Sequence, residues 1–475
     1  MEASELVRLC ARDVVALLQR REVSPLELID AALARIAAVN ERVNAVVTLA
    51  EERARERARR LMERPPPDDV RGWLAGLPVL IKDLVEVEGV RTTFGSTLFR
   101  NHVPQRSDLL VRRIEERGGV VLGMTNTPEF GAGANTFNDV FGPTRNPFDL
   151  KLTAGGSSGG AAAALATGMG WLAHGSDLGG SLRVPAAYCA VVGLRPSPGR
   201  VPRGPRVDPF NTMAVEGPMA RDVRDVALFL DTLAGFAPED PLSFDPPAEP
   251  FAQAADRPSA PKRIAYSPDL GGLTPVDPEV ADICREAALR FAEQGAVVEE
   301  AAPDLAHAVE TFTVLRGASF AAAYAHLLPD HRTALKPEIV WNIEYGLALD
   351  PRRLGWAVVQ RGRLQQNMAA FFRRYDLLLT PATALPPFPV EIRYIEELEG
   401  HRFATYVDWL TITYAITLTA CPALALPCGW TRAGLPVGLQ MVGPPRGEAQ
   451  LLSAAALLEE LLGLAGRLPV DPPPA

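Results

Sequence analysis

An α/β protein built on a mostly parallel, buried sheet is what this sequence predicts. Between residues 72 and 236, apolar runs at 77–84 and 120–122 alternate with glycine-rich turns and an alanine-rich helix at 160–167. That alternation is the signature of βαβ units. A second strand–helix–strand unit follows at 263–266, 278–294 and 297–298. The chain has 475 residues, 47% hydrophobic and 22% charged, enough to bury a large core. A disordered chain and a disulfide-stapled miniprotein are both excluded.

In order, residues 1–71 form an N-terminal helical region. Ser24-Pro25-Leu26-Glu27 is a capping box with proline at the first helical position, and Leu28, Ile29, Leu33, Ile36 and Val39 follow at helical spacing. A short strand is expected at 44–49 and a charged, exposed helix at 53–64, ended by the three prolines at 65–67. Residues 72–236 are the predicted core and 237–262 a proline-rich surface connection. Residues 263–475 complete the sheet and the substrate pocket. Within them a helical region runs to about 375, strands lie at 377–379 and 423–426, and a helix at 447–463 closes the chain. The uncharged run 409–431 is broken by Pro422 and Pro427 and rich in threonine, so it reads as a buried helix-then-strand segment rather than a membrane span. There is no internal repeat, and the whole of 1–475 reads as one domain.

Charge narrows the partners. With 48 Lys+Arg against 57 Asp+Glu, the net charge is −9, a poor footprint for direct nucleic-acid binding. The five cysteines (Cys10, Cys189, Cys284, Cys421 and Cys428) show no CxxC spacing. With no basic or apolar leader at the start, they point to buried thiols in a reduced, cytoplasmic compartment. Lysine occurs only at Lys82, Lys151, Lys262 and Lys336; every other basic residue is arginine. Arginine cannot give up its proton in a protein, whereas a buried lysine can. Lys82, inside an apolar run, therefore stands out.

Four familiar arrangements fail. None of the six histidines sits in a glycine-rich turn beside a nucleophile, and His174, after Trp171-Leu172-Ala173, reads as a core histidine on a strand. Gly155-Gly156-Ser157-Ser158-Gly159 has the letters of a nucleophile elbow, but 149–153 before it is a poor buried strand. Its glycines lack the lysine of a phosphate loop, and Gly131 and Gly133 lack a third partner for a dinucleotide turn. What remains is serine with lysine: Gly155 to Gly160, then Asp177-Leu178-Gly179-Gly180-Ser181, and upstream Gly76-Leu77-Pro78-Val79-Leu80-Ile81-Lys82-Asp83.

With Thr125-Asn126-Thr127-Pro128-Glu129-Phe130-Gly131, Thr144-Arg145-Asn146-Pro147 and Gly193-Leu194-Arg195-Pro196, this ordering resembles the amidase signature family of serine hydrolases. The resemblance is strongest over 72–236 and extends through 422–443. It implies an α/β/α sandwich around a large mixed sheet, hydrolysis of a small-molecule amide, and no metal or cofactor. It implies Ser181 as nucleophile, Ser157 as bridging serine behind a cis Gly156–Ser157 peptide, and Lys82 as base. Leu178, Gly179, Gly180 and Ser181 would turn their N–H groups inward as an oxyanion hole, aided by a helix beginning near Pro185. Ser158, Asp177 and Arg183 are expected to orient these groups, and Asn126, Glu129, Arg145, Asn146 and Asp149 to brace loops. On a strand Asp83 should face away from Lys82, and Val79, Leu80, Ile81 and Leu84 should desolvate the amine and lower its pKa.

The chain departs from the family pattern at Met124, where lysine is common, and at Leu84, where asparagine is common. Val184, just past the nucleophile, suggests a neutral, partly apolar acyl group. Trp341, Tyr345 and Trp356 are candidate pocket residues, with helix packing the alternative. Two other readings stand beside a free amidase: the glutaminase component of a tRNA-dependent amidotransferase complex, and a non-catalytic binding protein. The segments after Val201 and at 213–218 favour the free enzyme. A homodimer is the assembly expected.

Overall fold

The computed structural model describes residues 2–63, 70–464 and 466–474; the prolines at 65–67 lie outside them. Thirteen strands are described: β1 (Val46–Leu49), β2 (Pro78–Lys82), β3 (Val120–Thr125), β4 (Leu172–Asp177), β5 (Val192–Arg195), β6 (Val215–Ala220), β7 (Arg263–Tyr266), β8 (Val297–Glu300), β9 (Leu377–Pro381), β10 (Glu397–Leu398), β11 (His401–Arg402), β12 (Ala423–Trp430) and β13 (Pro436–Val442). Eleven form one sheet in the order β1-β3-β2-β4-β6-β5-β12-β13-β9-β7-β8. The sheet is mixed, as expected, with helices on its faces. Parallel pairing runs through β3-β2-β4 and through β9-β7-β8, and the strands between them pair antiparallel.

Local sequence explains the elements that matter for the site. β2 is buried along its whole length, the pattern of a strand covered on both faces. β2, β3 and β4 are parallel, so Lys82, Thr125 and Asp177 end at one edge, where open α/β sheets gather ligands. The helix Gly159–Ala166 starts at that edge and is buried throughout. Only small residues fit there: a Cβ on Gly160 would strike the Asn126 amide and the Ala45 carbonyl. At the N-terminus, Ser24 Oγ accepts from the Glu27 amide while the Glu27 carboxylate accepts from Ser24, so the capping box forms as read.

Three boundaries differ from the sequence reading. β2 stops at Lys82, because Leu84 and Val85 turn their amides back onto the Lys82 carbonyl. The charged helix is Glu51–Met62, with Ala54 and Ala58 buried rather than exposed. The proline-rich connection is not wholly superficial: it contains the helix Phe251–Ala255, whose first two amides donate to Asp231, and Phe251 is buried beneath Arg71 and Arg200. The run 409–431 resolves into the helix Thr411–Leu418 and β12, as expected. Among the described residues no helix is long and apolar enough to cross a membrane.

Replacing Gly160 with alanine is expected to lower unfolding free energy by about 1–3 kcal/mol through overpacking against fixed backbone. Gly355→Ala, in the helix Pro351–Phe371 with open space around it, should raise it by about 0.5–1 kcal/mol. Urea unfolding of the two variants checks both signs.

Candidate active site

Lys82 is completely buried at the end of β2. Its Nζ lies 2.7 Å from Ser157 Oγ, 2.9 Å from Ser158 Oγ and 3.1 Å from Ser176 Oγ. Among the described residues no carboxylate pairs with it. Desolvation pulls its pKa from the usual lysine value to about 7, against the opposing pull of Glu216 and Asp177. Asp83, the next residue, turns away and accepts from the Thr93 amide and hydroxyl.

The serines reach the lysine from the turn before the helix Gly159–Ala166. Gly155 has φ +76°, and a Cβ there would lie 2.9 Å from Pro185 Cα, so only glycine suits the turn. The Gly156–Ser157 peptide is cis, as the resemblance implies. Ser181 is half-buried after β4. The turn that carries it is tied to the lysine's serines by the Ser158 amide, which donates to the Ser181 carbonyl at 3.2 Å. Lys82, Ser157 and Ser158 are thus in direct contact. Ser181 shares a cavity with Ser157, and its hydroxyl makes no hydrogen bond among the described residues.

The turn that carries Ser181 is held from beneath. Asp177 is fully buried and accepts from the Gly180 and Leu182 amides, from Arg183 Nε and Nη2, and from Arg195 Nη1. Burial alone would raise its pKa, but Arg183 and Arg195 hold it well below the usual carboxylate range. Arg183 also donates to the Thr413 carbonyl and to Gln440, locking the turn to the helix Thr411–Leu418 and to β13. This corrects one expectation: the Gly180 N–H, expected to face the substrate, is taken by Asp177. The amides of Leu178, Gly179 and Ser181 have no hydrogen-bond partner among the described residues.

The cavity above Ser157 and Ser181 encloses about 380 Å³. One side is apolar: Leu84, Phe94, Phe130, Leu178, Phe320 and Tyr324, with the Phe130 and Tyr324 rings stacked 4.4 Å apart. The polar lining includes Arg203, Arg206 and Glu216. Trp341, Tyr345 and Trp356 do not reach it; Trp341 stacks on Tyr345 and Trp356 packs edge-on against His307. Val184 is buried in the core beside Tyr188 rather than in the cavity. Their helical spacing served packing, and the pocket takes its aromatic wall from 94, 130, 320 and 324 instead.

Sequence reasoning missed Ser176, Arg195 and Glu216. Ser176 reaches Nζ only through the lateral alignment of β2 with β4, which no local motif encodes. The predicted bracing roles hold: Asn126 ties to Gly142 and Thr144, Asn146 to Thr153 and Tyr188, Glu129 to Ser96 and the Lys336 amide, and Arg145 to the Leu150 carbonyl. His174 is a buried strand residue bonded to Glu216, as a core histidine should be.

Residues 27–452 match the Amidase family model. The chain is 36% identical to the Acylamidase of Rhodococcus erythropolis over 99% of both chains. It is 37% identical to a Glutamyl-tRNA(Gln) amidotransferase subunit of Moorella thermoacetica, over 96% of this chain and 97% of that one. Identity therefore does not separate the two roles. Its fold matches a bacterial aryl acylamidase of the amidase signature family with TM-score 0.87 at 30% identity, covering 95% of this chain and 96% of that chain.

Asp177→Asn leaves two buried guanidiniums short of their counter-charge. It is expected to cost about 3–5 kcal/mol of stability, read as a lowered urea midpoint.

Proposed function

The chain belongs to the amidase family, and from that premise we propose that it is a free-standing amidohydrolase that cleaves small neutral carboxylic amides, aryl amides and esters included. Ser181 is the nucleophile, Ser157 the bridging serine and Lys82 the base. The observation that carries this reading is the buried amine 2.7 Å from Ser157 Oγ, with its pKa brought to about 7 by burial. An amine so placed is substantially uncharged near neutrality and has a lone pair for a hydroxyl proton.

In the forward direction Lys82 takes the Ser157 proton and Ser157 takes that of Ser181. The Ser181 oxygen then bonds to the amide carbon, and the carbonyl oxygen becomes an oxyanion received by the free amides of Leu178, Gly179 and Ser181. Collapse of this adduct breaks the C–N bond, Ser157 hands a proton to the departing nitrogen and regains one from Lys82, leaving an acyl-enzyme and a neutral amine. Water attacks the acyl carbon by the same relay and releases the acid. Ser158 and Ser176 hold the amine on its path as further partners of Nζ.

The apolar wall of Leu84, Phe94, Phe130, Phe320 and Tyr324 supports a neutral, partly apolar substrate. The enclosed volume of about 380 Å³ suits a small one. Fold favours the free-standing reading over a role inside an amidotransferase: the TM-score is 0.87 to the aryl acylamidase and 0.76 to a Glutamyl-tRNA(Gln) amidotransferase subunit from Thermotoga maritima. Hydrolysis of anilides by the purified chain tests it; glutaminase activity that appears only with added partner proteins would overturn it.

Ser181→Ala and Lys82→Ala are each expected to cut kcat/KM on an anilide by about a thousandfold or more. Protonation disables the base, so kcat/KM should fall about tenfold per pH unit below pH 7 and level off above it. Ser157→Ala should harm amides far more than matched aryl esters, whose leaving groups need no proton. Parallel pH–rate profiles on the two substrate types check this.

A further inference from the structure

The proposed relay makes no use of the charged chain on the opposite side of the lysine. Glu216 lies on β6 directly across from Ser176 in the antiparallel ladder with β4, so the two side chains share one face of the sheet. Ser176 Oγ is 3.1 Å from Lys82 Nζ. Two residues earlier on β4, His174 presents one ring nitrogen to each partner. Its Nδ1 accepts from the Lys82 backbone N–H at 3.4 Å, and its Nε2 is 2.9 Å from Glu216 Oε2. With Nδ1 accepting, Nε2 carries the hydrogen and donates to the carboxylate. The other carboxylate oxygen, Oε1, accepts from Arg206 Nη2 at 2.7 Å.

We propose that Glu216 is a positioning residue for Lys82: through His174 it fixes the backbone that carries the amine, and its carboxylate, balanced by Arg206, supplies the negative field the amine feels across the cavity. The inference rests on the reading of Lys82 as the base. Glu216 touches neither Ser157 nor Ser181, so it acts through other groups.

The surroundings of the amine single out Glu216. Nζ bonds Ser157 and Ser158 from the turn at 155–158 and Ser176 from β4, His174 of β4 meets the lysine's backbone N–H, and the carboxylates whose charge acts on the amine are Asp177 of β4 and Glu216 of β6. Asp177 is ion-paired with two buried guanidiniums, Arg183 and Arg195. Asp83, on the lysine's own chain segment, is turned to Thr93. Glu216 has a single close guanidinium, Arg206, which it shares with Asp108, and Arg203 stands nearby. Burial would raise the Glu216 pKa, but the His174 hydrogen bond and Arg206 bring it down to about 2, so the carboxylate is charged across the working range. Arg206 comes from the segment linking β5 to β6, and its neighbour Val207, also in the cavity lining, is exposed.

The test uses the full chain labelled with ¹³C-lysine. Only four lysine signals arise, and Lys82→Ala assigns the one of interest. In E216Q the Lys82 titration midpoint is expected to move down by about one pH unit, and the acid limb of the kcat/KM profile on an anilide should move with it. E216D should restore most of the wild-type midpoint. R206Q, which removes the balancing cation, should move it up, and serves as the deciding variant if E216Q fails to fold. A midpoint unmoved or raised in folded E216Q, or unmoved or lowered in R206Q, overturns the inference. The proposed base role fails separately, if Lys82→Ala keeps wild-type turnover, because the midpoint reports on Glu216 whatever Lys82 does in catalysis.

Discussion

A lysine amine surrounded by hydroxyls and denied a carboxylate is the constraint on which the rest of this molecule turns. Burying a cation without a counter-ion is costly, so the amine survives in the interior only by being able to shed its charge. Three serine oxygens within 3.1 Å supply partners for its hydrogens without supplying an anion that would pin the proton. The fold is arranged to bring those oxygens there. The cis turn and the small-residue helix Gly159–Ala166 deliver two, and the end of β4 delivers the third.

Because the amine has no ion pair of its own among the described residues, the anions nearby must be kept occupied. Asp177 directs its acceptors to Arg183, Arg195 and two backbone amides, and Glu216 to His174 and Arg206. Each carboxylate shapes the site without approaching Nζ as an ion pair. The arrangement also stiffens the turn of Ser181, since the groups that quench Asp177 are anchored in β5, β13 and the helix Thr411–Leu418.

Much of this was legible in the chain before folding. Lys82 stood out as one of few lysines, set in an apolar run, and the two glycine–serine turns carried their own local geometry. The helix-then-strand at 409–431 and the unit at 263–300 followed from periodicity and breakers. What the chain could not disclose was lateral alignment. Ser176 meets Lys82, and Glu216 meets Ser176, only once β2, β4 and β6 lie side by side, and those pairings join residues separated by tens of positions. The pocket wall shows the same limit. Trp341, Tyr345 and Trp356 had the right chemistry but serve packing between helices, while Phe94 and Phe130 come from loops with no periodic signal. The Gly180 amide misled for a local reason: a glycine-rich turn offers several N–H groups, and which one the preceding aspartate claims depends on side-chain conformation.

The two arginines around Asp177 have a bearing on how the protein would meet acid. That carboxylate stays ionised far below neutrality, and Glu216 does so down to about 2, whereas the amine accepts its proton near 7. On the proposed reading of Lys82 as the base, mild acidification charges the amine while Asp177, beneath the turn of Ser181, keeps its ionic glue with Arg183 and Arg195.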